Sequence, residues 1–498
     1  MEHNRFYHYV VLCGILISAL FLRIHFFIGL NFSDDPWYVY LANQICEGTF
    51  TDTGNGGLRL GMIYPLSLMF KLFGISNISA TIYPLFCSLG TILLSYFGGR
   101  LLFNPQTGII AALLLCFYPL DVLYASWIMP DIPIEFFVSL GIILFLSVYK
   151  KDLKVFYLYI VGLLFGVVYL INIRSIVCFI TVIPFFLIWL RKKKFLQWVL
   201  LTSLFLSGFL TVVALEGIYN LKRANDFFLN YHRTTEYYSD KNSSFLKEGI
   251  NNSLSFYPKL MFNLDDSLHF MKKNTNLIYG YFFYLFCVST FFLLSARKKE
   301  IIIPLWWFLS LFLYMQFGSM SLKEYIPIHR LDRHLTIVSI PMVIICGSFL
   351  SYLVNAKVRL VGLAIIYFLF GSSFIFTKAI ADDMRVPSYD MKGIYNFLKD
   401  YPGKDIYADP GVLSHLHFYF NFKNEHLRHC LLYTNEVKPD SFVVLDGTRG
   451  YIENPRLKKE LPIWARNINP KWKLVKIIEG PKVGIYARYN PQIYYVPK

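Results

Sequence analysis

The chain has 498 residues, 55% of them hydrophobic and 18% aromatic, with a mean hydropathy of +0.46. No water-soluble interior hides that load, and nearly uncharged runs recur at about the 20 residues that a bilayer crossing needs, so the chain reads as an α-helical polytopic membrane protein. The net charge of +16 does not indicate nucleic acid. Arg100, Lys150, Lys151 and Lys154, Arg191 to Lys194, Arg297 to Lys299, and Lys357 with Arg359 all sit in short breaks between apolar runs, where the cytoplasmic excess of positive charge belongs.

Eleven runs are long enough to span: 8–29, 79–99, 108–125, 132–149, 155–172, 174–190, 196–216, 276–296, 301–318, 335–354 and 358–378. The first contains Arg23 and His25 and lacks a small-residue cleavage site, so it reads as a retained helix and not a signal peptide. With the N-terminus cytoplasmic, every basic break falls on the cytoplasmic side. The opposite face then receives the loop 30–78, the turn around Trp127–Pro133, the loop 217–275 and the tail. Within the first loop, Met62–Ile75 is apolar but too short to cross, and reads as an interfacial helix. The loop 217–275, rich in Asn, Tyr, Lys and Ser, shows no such pattern. The tail divides the chain into a membrane domain, 1–380, and an extracytoplasmic α/β domain, 381–498. There "GIYNFLKDY" looks helical, and "KDIYAD", "SFVVLD", "WKLVKIIE" and "VGIYARY" look like strands. No glycine-rich phosphate loop is visible.

The eight cysteines are scattered, without CxxC or metal-type spacing. Cys46 and Cys430 fall outside the membrane, where they could pair. His415, His417, His426 and His429 are loosely metal-like in spacing, but no Cys or acid lies in register, so they read as surface or packing residues.

The ionisable residues at the outer ends of the spans carry the chemistry. Asp34 and Asp35 are adjacent carboxylates just beyond the first run. Their repulsion raises the proton affinity of the pair, which suits them to take a proton, a metal or hydroxyl groups. The plainer reading is a helix start, with Asp35 as N-cap and Pro36 as the first helical residue. Asp131 opens a later span, and helix-start acids are common. Glu135 lies one turn further into the membrane, where an acid is costly and tends to be functional. Arg174 sits in a tight break, either as a snorkelling anchor or as a phosphate clamp. His329, Arg330, Arg333 and His334 crowd a face that normally lacks positive charge. Arg59 is a further cation on the first loop.

The order Asp34-Asp35-x-x-Tyr38-x-x-x-Ala42, followed by Gly48, Tyr64-Pro65 and Leu72-Phe73-Gly74, resembles the first extracytoplasmic loop of GT-C glycosyltransferases that use polyprenyl-phosphate sugars. These include protein O-mannosyltransferases and the aminoarabinose transferases of lipid A. In that family the second acid is usually Glu, where this chain has Asp35. "SWIMPDIPIEFF" is similar to the family's second outer acid, Asp131, with Pro133 after it, and Arg333 stands eight residues before Pro341, as family members often have it. The resemblance implies a GT-C fold with Asp34 as catalytic base and Asp35 as its neighbour. It implies substrate binding by Tyr38, Arg59, Asp131, Arg174, His329, Arg330 and Arg333. The implied activity is an inverting hexosyl or pentosyl transfer from a polyprenyl-phosphate donor to a lipid, glycan or protein acceptor at the extracytoplasmic face. No cofactor is required on this reading. A divalent metal is left open, with Asp35 and Asp131 as its ligands. A transporter or flippase of lipid-linked glycans is the alternative class, and would show internal repeats and mid-membrane polar residues. An oligosaccharide ligase or polymerase would share the fold. The chain ends "YYVPK" without a retrieval signal, which favours a bacterial inner membrane over an endoplasmic reticulum.

Overall fold

The structure is a computed structural model and describes residues 2–31, 33–54, 56–151, 153–173, 177–239, 255–262, 264, 278–319, 325, 327–328, 330–429, 437–445, 468–480 and 490–498. Each of the eleven apolar runs carries a helix. Among the described residues, seven are long and apolar enough to cross a membrane: Phe6–His25, Asn77–Leu102, Asp131–Lys150, Phe195–Ala224, Lys299–Phe317, Asp332–Asn355 and Arg359–Leu398. Pro105–Phe117, Tyr157–Ile171, Cys178–Leu190 and Phe282–Ser295 are shorter apolar helices. The chain is an integral membrane protein. Phe195, Leu196, Leu360 and Tyr367 stand exposed on its flanks, where acyl chains are as apolar as they are. Inside, backbones approach closely at small residues. A Cβ on Gly162 would meet the Phe205 carbonyl oxygen at 2.1 Å, and one on Gly208 would meet that of Tyr159 at 2.0 Å. This is the small-residue contact by which helices associate where water drives nothing together.

Two helices overrun their expected ends. The Phe195–Ala224 helix continues eight residues beyond 216, stopping where Asn225 adopts a left-handed conformation (φ 53°). Those residues therefore extend a span and do not begin a loop. The last span runs unbroken for 40 residues, Arg359–Leu398, or roughly 60 Å at 1.5 Å per residue. "GIYNFL" is the end of that helix.

The tail forms a five-stranded sheet: β1 (Ile406–Ala408), β2 (Leu427–His429), β3 (Ser441–Leu445), β4 (Lys473–Ile477) and β5 (Gln492–Val496), in the order β2-β1-β3-β5-β4. β1 is parallel to β2 and β3, while β5 is antiparallel to β3 and β4. Three expected strands appear as β1, β3 and β4. β2 and β5 were not foreseen, and "VGIYARY" lies outside the described residues. Met391, Ile394 and Leu398 of the long helix pack with Ile406, Phe442, Val444 and Ile493, so the last span supplies part of this domain's own core. A helix at Pro410–Tyr419, capped by Asp409 through the N–H groups of Gly411 and Val412, rests on the first loop. Phe418 lies against Phe70, Phe422 against Tyr40, and the Asn77 amide donates to the Tyr419 hydroxyl at 3.3 Å.

Candidate active site

The chain entering the first loop is stitched to the turn before Asp131. Gly29 bridges Trp127, its N–H donates to the Ser126 carbonyl at 3.1 Å, and the Ile28 N–H donates to the Ser126 hydroxyl at 2.9 Å. This brings two sequence-distant acids, Asp34 and Asp131, to one end of the bundle. The first-loop helix spans Asp35–Glu47, with Asp34 as N-cap and Pro36 in its first turn. The cap is thus one residue earlier than expected, and the Asp34 side chain makes no capping bond and is exposed. Asp35 is fully buried. One of its oxygens accepts the Asn31 N–H and the other accepts the Ser33 N–H at 3.0 Å. Asp35 therefore closes the turn that presents Asp34. Burial pushes its carboxyl up to about 7, against those backbone donors.

Arg333 lies in a 3₁₀ turn, Asp332–Val338, that leads into the Ser339–Asn355 helix. Its Nε is 3.5 Å from Asp131 Oδ2, its Nη1 is 3.5 Å from the Ser33 hydroxyl, and Asp34 is within electrostatic reach. Three tyrosines hold the turn. Tyr257 donates to the Leu331 carbonyl at 3.0 Å, Tyr279 to the Asp332 carbonyl at 2.7 Å, and Tyr124 to Asp332 Oδ1 at 3.4 Å. The sequence reading missed this cradle.

Arg59 precedes the Leu60–Phe73 helix, the interfacial helix expected in the first loop. Its guanidinium donates to the Tyr38 hydroxyl and sits 5.4 Å from that ring's centre. Tyr38 is buried, which raises its phenol, and it interacts with Arg59, Asp34, Arg333 and Asp131. The preceding strap passes close to its neighbours. A Cβ on Gly57 would meet the Asp52 carbonyl oxygen at 2.5 Å, and one on Gly56 would meet the Trp37 indole at 2.4 Å. Arg223, at the end of the overrunning helix, pins the strap by donating to the Asp52 carbonyl at 3.1 Å and the Gly57 carbonyl at 3.4 Å. Arg223 was not foreseen, because its run was read as loop.

Asp34, Tyr38, Arg59, Asp131 and Arg333 thus form one constellation, with Asp35 beneath it. Arg330 faces elsewhere, donating from Nε and Nη2 to the Gln316 carbonyl at 3.1 and 2.9 Å. Arg174, His329 and Cys430 lie outside the described residues. Among the described residues no three His, Cys, Asp or Glu side chains converge to hold a metal ion. Asp35 and Asp131, the expected ligands, face backbone N–H groups and a guanidinium, an arrangement that does not fit a cation.

Residues 60–215 match the family model described as dolichyl-phosphate-mannose-protein mannosyltransferase, a stretch that includes Asp131 but neither Asp34 nor Arg333. The structure is similar to that of ArnT from Cupriavidus metallidurans, at 13% identity and a TM-score of 0.63 over 99% of this chain and 98% of that one. The same protein bound to undecaprenyl phosphate gives 0.64 at 13% identity over 97% of each chain. An oligosaccharyltransferase of Archaeoglobus fulgidus gives 0.56 at 12% identity, over 92% of this chain and 72% of that one. An uncharacterized protein of Aquifex aeolicus (strain VF5) is 24% identical over 325 residues, 63% of this chain and 60% of that relative's length. The chain shares the fold of ArnT, a helical membrane bundle with a small C-terminal sheet domain.

Proposed function

We propose that the protein is an inverting membrane glycosyltransferase. It moves a sugar from a polyprenyl-phosphate donor to a hydroxyl of a lipid, glycan or protein acceptor, at the extracytoplasmic face of a bacterial inner membrane. The observation that carries this reading is the mutual reach of Asp34, Asp131, Arg59 and Arg333 at one end of a lipid-embedded bundle. The donor's tail needs hydrocarbon, its phosphate needs cations, and its anomeric carbon must meet a hydroxyl at the surface. ArnT bound to undecaprenyl phosphate, and an archaeal oligosaccharyltransferase in complex with dolichol-phosphate, support a lipid-phosphate donor for the same fold here.

In this reaction the acceptor oxygen bonds to the anomeric carbon as its proton passes to the Asp34 carboxylate. The bond from that carbon to the phosphate oxygen breaks, and the electron pair leaves with the phosphate. Arg333 and Arg59 stabilise the charge that develops there. Attack opposite the leaving phosphate inverts the centre. Asp131 orients Arg333, and Tyr38 orients Arg59. On this reading residues 1–380 perform transfer, and residues 381–498, carried by the last span, stand over the first loop where an acceptor arrives.

The test is purified full-length protein with polyprenyl-phosphate sugars and a panel of acceptors. Asp34→Asn should lower turnover by about 10²–10⁴-fold or more with the fold intact. Undiminished turnover in that variant removes Asp34 from the reaction.

A further inference from the structure

A second cluster of ionisable groups lies inside the bundle, and the transfer reaction described above does not use it. Arg23, Asp121 and Glu135 are each 0% exposed. Arg23 is fully engaged. Its Nη2 pairs with Asp121 Oδ2, Nε donates to the Ser88 hydroxyl at 2.7 Å, and Nη1 donates to the carbonyls of Ala19 at 3.2 Å and Cys116 at 3.4 Å. Ser88 also donates to Asp121 Oδ2 at 3.0 Å. Glu135 is different. Both its carboxyl oxygens are buried without a hydrogen-bond partner, although Asp121 and Arg23 are within electrostatic reach. Asp121 Oδ1, the Tyr118 hydroxyl and the Ser139 hydroxyl are buried and unpartnered too. Tyr118 interacts with Glu135, Asp121 and Cys346. Asp131 lies one turn before Glu135 on its own helix, and Ser139 one turn after.

The charges do not balance. One guanidinium faces two acids, and among the described residues no further cation acts on either of them. Asp121 already takes the guanidinium by direct contact, so an ionised Glu135 would be a buried charge with no donor, which is very costly. A buried pair is tolerated when its charges cancel and its remaining polar atoms are satisfied.

We propose that Arg23, Asp121 and Glu135 form a proton-binding site inside the bundle, in which Glu135 holds one proton, Asp121 stays ionised against Arg23 and the cluster carries no net charge. Tyr118 and Ser139 complete a polar lining of the kind that holds internal water. The site keeps the region one turn beneath Asp131 neutral, so that the cations at the bundle's end are not drawn inward.

Infrared difference spectra of the full-length protein in lipid nanodiscs test this, because a protonated carboxyl absorbs apart from a carboxylate. Wild type minus Glu135→Gln should show one protonated-carboxyl band. Wild type minus Asp121→Asn should show it as well, since the remaining acid then faces Arg23 alone and ionises. Absence of that band from either difference spectrum overturns the assignment. Gln has the shape and charge of a protonated glutamate, so Glu135→Gln should unfold at the wild-type temperature. Failure of that variant to fold also overturns the proposal, and if Asp121→Asn does not accumulate, Glu135→Gln decides alone. None of these measurements requires sugar transfer, so this site stands or falls apart from the function proposed above.

Discussion

Arg23 and Arg333 are both held within the helix bundle, but in different ways. The Arg23 guanidinium meets a carboxylate, a hydroxyl and two carbonyls from neighbouring turns and helices. Arg330 is likewise tied down by two bonds to one carbonyl. The contacts of Arg333 with Asp131 and Ser33 are both 3.5 Å, at the outer limit of a hydrogen bond. A cation saturated by the chain holds the fold together. One with long contacts, at the bundle's end and beside an exposed carboxylate, has bonding capacity left for an anion.

The largest effect should come from breaking the saturated side. Arg23→Ala leaves Asp121 buried without its cation, and such losses cost about 3–5 kcal/mol. The variant should lose its cooperative unfolding transition or shift it far down, whatever substrate is present. Replacing Arg333 by Ala should do the reverse. The stability loss should be smaller than for Arg23→Ala, because the lost contacts are long and Asp131 keeps Arg59 within electrostatic reach, while kcat falls about 10²–10³-fold, as when one stabilising donor is removed from a reacting centre. If Arg333→Ala unfolds the protein and keeps its specific activity, the contrast between the two arginines is wrong.

Much of this was legible in the chain, for a physical reason. Run length fixes what can span, and a charge at the end of an apolar run has few explanations. Asp34, Arg59, Asp131 and Arg333 were therefore visible before any geometry, and Tyr38 through the first-loop resemblance. What was hidden depended on long-range pairing. Asp121 lies inside an apolar run, and nothing local says that Arg23, 98 residues earlier, is its partner. Tyr124, Tyr257 and Tyr279 are three of 36 tyrosines, and only the fold gathers them around one turn. The polar stretch "DDMRVPSYD", with Pro387 in it, looks like a break after the last span. The helix continues because Met384, Val386, Pro387 and Met391 are buried together with Asp383 and Asp390, and the Arg385 guanidinium donates to the carbonyls of Phe27 and His25.

The Asp34–Asp35 pair makes the same contrast within two residues. Asp34 is exposed and Asp35 is bonded to the chain's own turn. Burial lifts Asp35 from an ordinary 3.8 to about 7, so the folded state holds its proton more tightly than the unfolded state does. Its stabilising contribution is complete below about pH 4 and is lost as pH rises through about 7. Unfolding temperature should therefore fall between about pH 4 and about pH 7 and level off above. Asp35→Asn should flatten the slope and destabilise by about 1–3 kcal/mol, because one of the two backbone N–H groups loses its acceptor. An unchanged slope in the variant would show that another group titrates there.

The smallest effect concerns Arg223, which acts on the loop and not on the reacting atoms. Its guanidinium lies 5.3 Å from the centre of the Phe50 ring and 5.0 Å from that of Tyr219, while it donates to the carbonyls of Asp52 and Gly57. Cation–ring contacts of this partly exposed kind contribute about 0.5–1 kcal/mol each. Arg223→Ala should leave global stability nearly unchanged, because the strap carries little of the core. It should let the 50–57 strap open more often, seen as faster amide hydrogen exchange there, and raise KM for the donor several-fold with kcat nearly kept, since Arg59 follows directly on that strap. Arg223→Lys retains the charge but not the planar fork, and should restore only part of the protection. If exchange at 50–57 matches wild type in Arg223→Ala, the strap is held by its glycine contacts alone, and the overrunning helix has no part in setting the site.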